Sequence, residues 1–380
     1  MSGRQNILVY GFSIFTMFFG SGNLVFPLQI GYQAGSQWLA GFAGLFLTGI
    51  ILPFMGLFVI KLHKGDYVAF FGEAGSIARI IMPLFTLSLL GSFGVVPRCI
   101  TVAHGGIGYI FPELPLAAFS LAFCGLCYII CLSDRYMISI LGKWLTPVLL
   151  VSLTFLIILG IIKSPPTSAL MMPLSQTSSF RVGFFQGYAT MDLFAAFFFS
   201  SLVFKQIQAF MPSNATHQDI IKFALKPSLI GAGLLSLVYL GFVYLGAHYQ
   251  FILSGASQES LLPSITSYLL GDRAALLIGI IVILSCLTTA VALNNIYARY
   301  LCTSFKLEGK AFPVVLLITT LISFAISLLD FKGIAGFLSP LLMISYPSLI
   351  ALTFLSIILR GNRPLKITAF YGIMILVLVF

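Results

Sequence analysis

Two short stretches of small and polar residues interrupt long apolar runs, and their residue types suit ligand binding. The first stretch is "GSGN", residues 20–23, within the run "FTMFFGSGNLVFP". The second is "FFQGYATMDLF", residues 184–194, where four residues interrupt the apolar run: Gly187, Tyr188, Thr190 and Asp192. Glycine costs roughly 1 kcal/mol relative to alanine inside a helix, and a buried asparagine or aspartate side chain needs hydrogen-bond partners. Both stretches therefore predict a helix break whose exposed groups can bind a ligand.

A broken helix exposes main-chain groups that an intact helix satisfies internally. The N–H groups at the start of a half-helix carry partial positive charge and favour a carboxylate, whereas freed carbonyl groups favour an ammonium group or Na⁺. In a membrane, irregular backbone survives only where protein or a water-filled cavity covers it. The alternative is that the glycines merely allow neighbouring helices to pack closely. Two breaks, each with polar side chains, favour a substrate site.

The composition of the chain is that of a polytopic membrane protein. Of its 380 residues, 59% are hydrophobic and only 8% are charged, and the mean hydropathy is +1.08. Soluble domains carry about 25% charged residues, so a soluble surface cannot be built from this composition. The net charge of +10 does not indicate nucleic-acid binding, because the basic residues lie in short loops between apolar runs rather than on one face.

Eleven apolar runs are candidates for membrane spans, each of which needs about 20 residues. The runs cover residues 6–31, 37–60, 77–110, 115–133, 140–162, 181–205, 226–250, 273–302, 311–329, 333–359 and 365–380. When the N-terminus is placed inside, fifteen of the twenty Lys and Arg residues fall in inside segments and four fall outside. This positive-inside bias predicts a multi-pass protein with a cytoplasmic N-terminus.

The two breaks occupy corresponding positions if the spans form two repeats of five. We therefore predict one transmembrane domain over residues 1–380, with repeat one at about 6–162, repeat two at about 181–359 and an extra partial span at 365–380. An odd number of spans per repeat inverts the second repeat. Paired interrupted helices in inverted repeats are typical of secondary transporters. The external loop 251–272 is predicted to carry a short interfacial helix.

Five segments occur along the chain in this order: "FTMFFGSGNLVFPLQIGYQAG", "PRCITVAHGGI", "GYATMDLFAAFFFSSLVF", "CLTTAVAL" and "SPLLMISYPSLIAL". Together they resemble the branched-chain amino-acid carrier family, from about residue 6 to residue 360. The resemblance implies an all-α, leucine-transporter-like fold, a five-plus-five inverted repeat with spans 1 and 6 unwound. It also implies a cation-coupled symporter of the bacterial inner membrane that carries Leu, Ile and Val, usually with Na⁺ and with no other cofactor.

The resemblance also assigns roles to the residues at the breaks. The backbone N–H groups of Ser21 and Gly22 are expected to bind the substrate carboxylate, and the Phe18 carbonyl the ammonium group. In span six, Tyr188, Ala189 and Thr190 are expected to supply backbone and hydroxyl contacts. The complete expected substrate site is Phe18, Gly20, Ser21, Gly22, Asn23, Gly187, Tyr188, Ala189, Thr190 and Asp192. Phenylalanines near the breaks are candidate walls for a branched side chain: Phe18, Phe19, Phe184, Phe185 and Phe194.

A sodium site is expected in span eight, which reads "LSCLTTAVAL". Thr288 and Thr289 offer adjacent hydroxyl groups, and the Ser285 carbonyl lies one turn earlier. The resemblance adds the carbonyl groups of Thr16 and Phe19, with the Asn23 side-chain oxygen as a further candidate. The alternative is that these hydroxyl groups bond only to their own helix, as membrane threonines do.

Arg98 and Asp192 are the only charged residues well inside the predicted spans. Because an intramembrane charge needs a partner, we predict that they pair, or that Asp192 caps the second half-helix of span six at its N-terminus. A purely structural ion pair is the alternative. His104 is interpreted as a hydrogen-bonded structural residue. Family members often carry an aromatic residue and Glu at the positions of His104 and Gly105, so this departure leaves the coupling ion open.

Other functions have weaker support in the sequence. A proton-coupled carrier of another small neutral amino acid is the alternative within transport. An intramembrane enzyme would need converging His, Cys or carboxylate residues, yet only one of the four histidines lies well inside a span. A channel is disfavoured because no ring of repeated filter residues is visible. We therefore predict a transporter and not an enzyme.

Overall fold

The computed structural model describes residues 3–108, 111–132, 145–165, 174–211, 216–307, 309–359 and 361–379. Its regular structure within those ranges is helical. The α-helices are α1 (Gly3–Phe18), α2 (Ser21–Ala34), α3 (Trp38–Leu45), α4 (Leu52–Leu62), α5 (Tyr67–Gly72), α6 (Ser76–Leu90), α7 (Val95–Gly108), α8 (Leu116–Cys131), α9 (Leu145–Ile162), α10 (Gln176–Ala189), α11 (Asp192–Phe210), α12 (His217–His248), α13 (Gln250–Leu253), α14 (Leu261–Leu270), α15 (Asp272–Ser304), α16 (Phe312–Ser327), α17 (Asp330–Ile358) and α18 (Arg363–Val379).

The described part of every predicted span is largely helical, and several spans consist of two helices. The run 6–31 contains α1 and α2, and the run 181–205 contains α10 and α11. The run 37–60 contains α3 and α4, joined by a π-helical segment at Phe46–Ile51. Residues 133–144, where the fourth predicted span ends and the fifth begins, lie outside the described residues. The prediction of an all-helical protein is therefore confirmed.

Among the described residues, length and hydropathy identify five helical segments that can cross a membrane: Ser21–Leu62, Ser76–Gly108, His217–His248, Asp272–Ser304 and Asp330–Ile358. The bent pair Gln176–Ala189 and Asp192–Gln208 makes a sixth if it is counted as one span. Shorter apolar helices of 10–17 residues account for further predicted spans, among them α8 and α16. The total of eleven spans stays a prediction.

Close contacts between helix backbones position the broken helices. Helices α1 and α2 pack along α12, whereas α10 packs along α3 and α11 along α4. At the α10–α3 crossing, a Cβ atom on Gly183 would lie 1.8 Å from the Gly41 carbonyl oxygen. At the α2–α12 crossing, a Cβ atom on Gly246 would lie 2.1 Å from the Leu28 carbonyl oxygen. Only glycine fits either position, so these crossings fix α10 against α3 and α2 against α12.

A third interruption lies in the predicted span 77–110 and was not anticipated. Residues 91–94 ("GSFG") form an irregular turn between α6 and α7. The turn is anchored by the buried Ser92, whose hydroxyl group donates a 2.8 Å hydrogen bond to the Thr319 carbonyl. Two glycines within four residues were the sequence feature that could have indicated this turn. The turn matters for the site because it sets the direction of α7, which carries Arg98.

The helix expected in the loop 251–272 is present as α14. It packs against α15, α2 and α7. Its neighbour in the chain, Glu259, lies directly against α7, since a Cβ atom on Gly105 would be 2.5 Å from the Glu259 Cγ atom. The prediction of a short helix in this loop is confirmed, and the helix covers one end of the helices that carry the site.

Candidate substrate and cation site

The first break separates α1 from α2 and lies in the buried centre of the protein. Helix α1 ends at Phe18 and α2 begins at Ser21. The Gly20 N–H group donates to the Phe18 carbonyl at 2.9 Å and to the Asn23 Oδ1 atom at 3.1 Å. Asn23 therefore caps the new helix, and its side-chain oxygen is engaged at the position where a cation was expected. The Phe18 carbonyl, expected for the ammonium group, likewise already accepts a hydrogen bond.

The second break separates α10 from α11, which meet at an angle of 44°. Helix α10 ends at Ala189 and α11 begins at Asp192. Between them, Met191 adopts a left-handed conformation with φ of 62°, which costs a non-glycine residue about 1–3 kcal/mol. The Thr190 hydroxyl group donates to the Gly187 carbonyl at 2.9 Å. The surrounding packing must sustain this strained backbone, as is common at functional sites.

The two breaks contact each other through side chains. Asn23 Nδ2 donates a 2.8 Å hydrogen bond to Asp192 Oδ2, and the Tyr239 hydroxyl group donates to the same oxygen at 3.0 Å. Asn23 Nδ2 and the Tyr239 hydroxyl group are also in contact. All three side chains are buried. A Cβ atom on Gly22 would lie 3.3 Å from the Thr190 Cα atom, so the backbones of the two breaks are close as well.

The direct Arg98–Asp192 ion pair predicted as one alternative is wrong. No nitrogen and oxygen atoms of these two described side chains lie within 4 Å of each other. Arg98 Nη1 instead donates to the Ala189 carbonyl at 2.5 Å, at the carbonyl end of α10. The alternative that Asp192 caps α11 is also wrong, because the N-cap is Met191 without a side-chain cap hydrogen bond and Asp192 lies in the first turn. Each charge thus lies at a helix end of opposite polarity, which stabilises it without a direct contact between the two.

The hydroxyl groups expected to bind Na⁺ bond to their own helix in this structure. Thr288 and Thr289 both donate to the Ser285 carbonyl, at 2.7 Å and 3.2 Å. The Thr16 hydroxyl group, which was not the expected ligand because the prediction names the Thr16 carbonyl, likewise donates to the Phe12 carbonyl at 2.8 Å. Thr289 nevertheless lies beside the first break, because a Cβ atom on Gly20 would be 3.2 Å from its methyl group. Sodium binding by these residues and by Phe19 stays a prediction.

A cavity of about 20 Å³ lies between the breaks. Its lining includes Gly20, Asn23, Thr190, Asp192 and Thr289. A volume of about 10–15 Å³ holds one water-sized species, so the cavity is far too small for an amino acid. The conformation described here is therefore closed around the site, and binding of a larger solute requires the half-helices to separate.

The five phenylalanines named as pocket walls have different surroundings. Phe18 lines the cavity and packs against Phe199 with ring centroids 5.9 Å apart. Phe19 stacks on Phe15 instead, with centroids 5.1 Å apart. Phe184 packs on Tyr188 at 5.4 Å, Phe194 packs on Tyr346 at 4.8 Å, and Phe185 is 40% exposed. Of the five, only Phe18 lines the space between the breaks.

Two tyrosines at the site escaped the sequence analysis. Tyr239, on α12, completes the hydrogen bonds of Asp192, and Tyr346, on α17, stacks on Tyr188 with ring centroids 4.5 Å apart. Tyr239 lies in an apolar run, where a tyrosine carries no local signal, and Tyr346 lies in the segment "SPLLMISYPSLIAL", for which no site residue was predicted. Only the three-dimensional packing shows that they face the breaks.

His104 has a structural hydrogen bond, as interpreted from the sequence. Its Nε2 atom lies 2.8 Å from the Leu114 carbonyl oxygen, and its ring packs edge-on against Phe119 at 5.4 Å. Both contacts join α7 to the start of α8. The imidazole thus stabilises the connection between two helices.

A second polar cluster lies at the end of the molecule that the positive-inside rule predicts to be cytoplasmic. Glu73 accepts from Lys366 at 2.8 Å, contacts His63 at 3.1 Å and accepts from Ser356. Burial favours a raised pKa for Glu73, but hydrogen bonds from His63, Lys366 and Ser356 outweigh it and lower the pKa to about 2. Burial opposes protonation of His63, yet its contacts with Glu73 and the Val59 carbonyl raise its pKa.

The apolar, all-helical chain with its two facing helix breaks has the fold of the leucine-transporter-like class of membrane transporters. Solved transporters share this shape. A nucleobase-cation-symport-1 family transporter, Mhp1 in a closed conformation, matches 91% of this chain and 76% of its own, with TM-score 0.65 and 15% identity. MhsT in complex with L-phenylalanine matches 98% of this chain and 97% of its own, with TM-score 0.61 and 17% identity. These low identities establish the fold alone.

The chain belongs to the family described as "Branched-chain amino acid transport protein", whose pattern it matches over residues 3–380. A putative branched-chain amino acid carrier protein of Staphylococcus saprophyticus is 30% identical, over 94% of this chain and 83% of the relative. The branched-chain amino acid permease BrnQ of Corynebacterium glutamicum is 28% identical, over 97% of this chain and 85% of the relative. The permease BraB of Bacillus subtilis is also 28% identical, over 97% and 84%. The family comprises carriers and permeases rather than enzymes.

Proposed function

We propose that this protein is a secondary active symporter that imports Leu, Ile and Val across the bacterial inner membrane, driven by Na⁺ and with its N-terminus in the cytoplasm. Membership of the branched-chain amino acid transport family supports the substrate class. The observation that carries the proposal is the 2.8 Å bond between Asn23 and Asp192, because it joins the two helix breaks at a single buried point. Such paired breaks are where secondary transporters bind their solutes.

The helix contacts support a five-plus-five inverted repeat. Exchange of the two repeats converts span 1 into span 6 and span 7 into span 2. The packing of α1 and α2 along α12 then corresponds to the packing of α10 and α11 along α3 and α4. The exchange also converts span 3, which contains α7, into span 8, which contains α15. The contact between α7 and α15 is therefore converted into itself. An inverted pair of equivalent halves provides two equivalent conformations, one open to each side of the membrane.

The chemistry of the breaks suits a zwitterionic amino acid. The N–H groups of Ser21 and Gly22, at the start of α2, carry the partial positive charge that binds a carboxylate. The ammonium group would lie near the Phe18 carbonyl, and Tyr188, Ala189 and Thr190 would supply backbone and hydroxyl contacts. One methylene group in an apolar pocket discriminates by only about 1–3 kcal/mol. Overlapping transport of Leu, Ile and Val follows.

Na⁺ and substrate would be coupled because both act on the same broken helix. A cation held by Thr16, Phe19, Ser285, Thr288 and Thr289, with Asn23 as a further ligand, would fix the end of α1 against α15. A ligand that stabilises this arrangement favours the conformation that the second ligand needs. Alternating access then consists of rocking the bundle of spans 1, 2, 6 and 7 against spans 3, 4, 8 and 9.

A proton-coupled carrier is the second candidate, and one observation favours it. Asp192 is a buried carboxyl group that contacts Asn23 of the other break, so protonation there would act directly on the site. Thr288 and Thr289 meanwhile direct their hydroxyl groups to their own helix. In this alternative the proton on Asp192 takes the place of Na⁺, and the substrate is another small neutral amino acid.

Uptake of labelled leucine into proteoliposomes distinguishes the two candidates. The purified protein is tested with an inward Na⁺ gradient, with an inward proton gradient and with neither, and with Ile, Val, Ala or Phe as competitor. We expect accumulation only with the Na⁺ gradient, and competition by Ile and Val. Accumulation of leucine driven by protons alone would favour the proton coupling of the second candidate over Na⁺ coupling. Absence of leucine accumulation under every gradient would contradict both coupling schemes for leucine.

A further inference from the structure

Arg98 is a buried cation whose hydrogen bonds are incomplete. Its side chain is only 1% exposed, and Nη1 donates to the Ala189 carbonyl. The Nε and Nη2 atoms have no hydrogen-bond partner among the described residues. Unpaired donors of a buried charged group are costly, and native proteins rarely leave them without a role. Within the described part of the chain, two N–H donor groups of a charged side chain, at Nε and Nη2 of Arg98, therefore lack acceptors beside the second break.

The unused edge of this guanidinium group has the geometry that binds carboxylates. The Nε–H and the outward Nη2–H bonds point in nearly the same direction and form a fork that matches the two oxygens of one carboxylate. The third nitrogen, Nη1, is fixed by Ala189, and the Phe26 ring lies 5.5 Å from the guanidinium carbon. The guanidinium group is thus held in place, while its carboxylate-binding edge is buried without an acceptor among the described residues.

No described carboxylate satisfies this edge. Asp192 interacts with Arg98 electrostatically but makes its hydrogen bonds with Asn23 and Tyr239. Two further buried hydroxyl groups near the breaks make no geometrically complete hydrogen bond with described residues: that of Ser21, which lies against Cys99, and that of Tyr346, which lies against the Leu193 backbone. Tyr346 interacts electrostatically with Arg98, and Ser21 begins the half-helix expected to bind a carboxylate. Polar groups with unsatisfied hydrogen-bonding capacity on α2, α7 and α17 therefore lie near the two helix breaks.

We propose that Arg98 binds the carboxylate of the amino-acid substrate through its Nε and Nη2 atoms, together with the N–H groups at the start of α2. This inference rests on the proposed function. It assigns to Arg98 the selection of α-amino acids over amines and amides of the same side chain. Fixation of Arg98 by the Ala189 carbonyl also links the bound carboxylate to the second break, so one ligand spans both broken helices.

The test compares leucine with leucine amide, which has the same side chain and ammonium group but no carboxylate. Each ligand is titrated against the unfolding temperature of the purified full-length protein, for the unchanged chain, Arg98→Gln, Arg98→Lys and the exposed control Arg273→Gln. In the unchanged chain, leucine should bind at least about tenfold more tightly than leucine amide. Arg98→Gln should weaken leucine about ten- to a hundredfold with little change for the amide, whereas Arg98→Lys should keep part of the preference.

An equal loss of affinity for both ligands in Arg98→Gln would overturn the inference, because a merely structural arginine does not distinguish them. If the unchanged chain binds neither ligand, the proposed function fails before Arg98 is tested. A leucine-bound structure of the unchanged chain provides a test that requires no variant. A leucine carboxylate oxygen within about 3.5 Å of Nε or Nη2 would support the inference, and a carboxylate bound away from Arg98 would overturn it.

Discussion

Asn23 and Asp192 are 169 positions apart in the chain, yet their side chains meet at 2.8 Å and join the starts of two half-helices. Each residue lies in the first turn after a break, where the helix presents its unpaired N–H groups. The contact therefore links two regions of partial positive charge through a carboxylate. Asp192 thus forms a direct side-chain hydrogen bond between the two breaks.

We expect Asp192→Asn to reduce leucine uptake at least about tenfold while the protein still folds. The substitution keeps the size of the side chain but removes the charge that two donors and the first turn of α11 stabilise, each charged hydrogen bond contributing about 1.5–3 kcal/mol. Initial uptake rates per amount of reconstituted protein provide the measurement. Asp272→Asn, an exposed change at the start of α15, is the matched control. Normal uptake by Asp192→Asn would exclude Asp192 from the transport mechanism.

The backbone crossing between α2 and α12 should tolerate no side chain larger than hydrogen. We expect Gly246→Ala to destabilise the protein by several kcal/mol, because its Cβ atom would lie 2.1 Å from the Leu28 carbonyl oxygen. Gly233→Ala, in the same helix, has no atom within 4 Å of the new Cβ and should be neutral or stabilising by up to about 1 kcal/mol. Thermal unfolding in detergent compares the two variants. Equal stability would show that the α2–α12 crossing is not as close as described.

The cluster around Glu73 should make stability depend on pH. The pKa of His63 is raised, so its contribution is complete below its ordinary value of 6.5 and is lost as pH rises through the folded-state pKa. The pKa of Glu73 is lowered from 4.5 to about 2, so its contribution is complete above 4.5 and is lost as pH falls towards 2. The cluster therefore stabilises the fold most between pH 4.5 and 6.5.

The matching experiment compares the unchanged chain with His63→Gln by thermal unfolding from about pH 5 to about pH 8. We expect the unchanged chain to be more stable by up to about 1 kcal/mol near pH 5.5, with a difference that shrinks towards pH 8. The control makes the same His63→Gln substitution in a chain that already carries Glu73→Gln. The stability difference between those two variants should depend little on pH, because the carboxylate partner is gone. A stability difference that is constant across this range would mean that His63 does not titrate against Glu73.

The threonine beside the first break should affect the cation more than the amino acid. We expect Thr289→Val to raise the Na⁺ concentration for half-maximal leucine uptake about tenfold, because one hydroxyl ligand is lost while the shape is kept. Leucine affinity at saturating Na⁺ should change little. Thr353→Val, at a buried threonine whose hydroxyl group likewise donates to its own helix, is the control. An unchanged Na⁺ dependence in Thr289→Val would remove this residue from the cation site.

The sequence carried enough information for the fold class and for the two breaks. Apolar runs predict helices because a span must satisfy its backbone internally, and glycine beside polar residues weakens a helix locally. The turn at residues 91–94 carries the same kind of signal, but its polar content is low. Local patterns thus identify where a helix ends more readily than they show why.

Partners within the site could not be predicted, because they depend on packing between distant helices. Arg98 and Asp192 were expected to pair on charge alone, yet each is stabilised by a helix end of opposite polarity. Tyr239 reaches Asp192 only because glycine crossings bring α12 against α2. A tyrosine in an apolar run gives no indication of this role.

Leucine uptake by liposomes that contain only this protein is the most direct test of sodium-coupled transport. With an inward Na⁺ gradient, we predict accumulation of labelled leucine above its external concentration, abolished when the Na⁺ gradient is collapsed and blocked by excess isoleucine or valine. Leucine that merely equilibrates across the membrane, whatever the Na⁺ gradient, would contradict sodium-coupled transport by this chain.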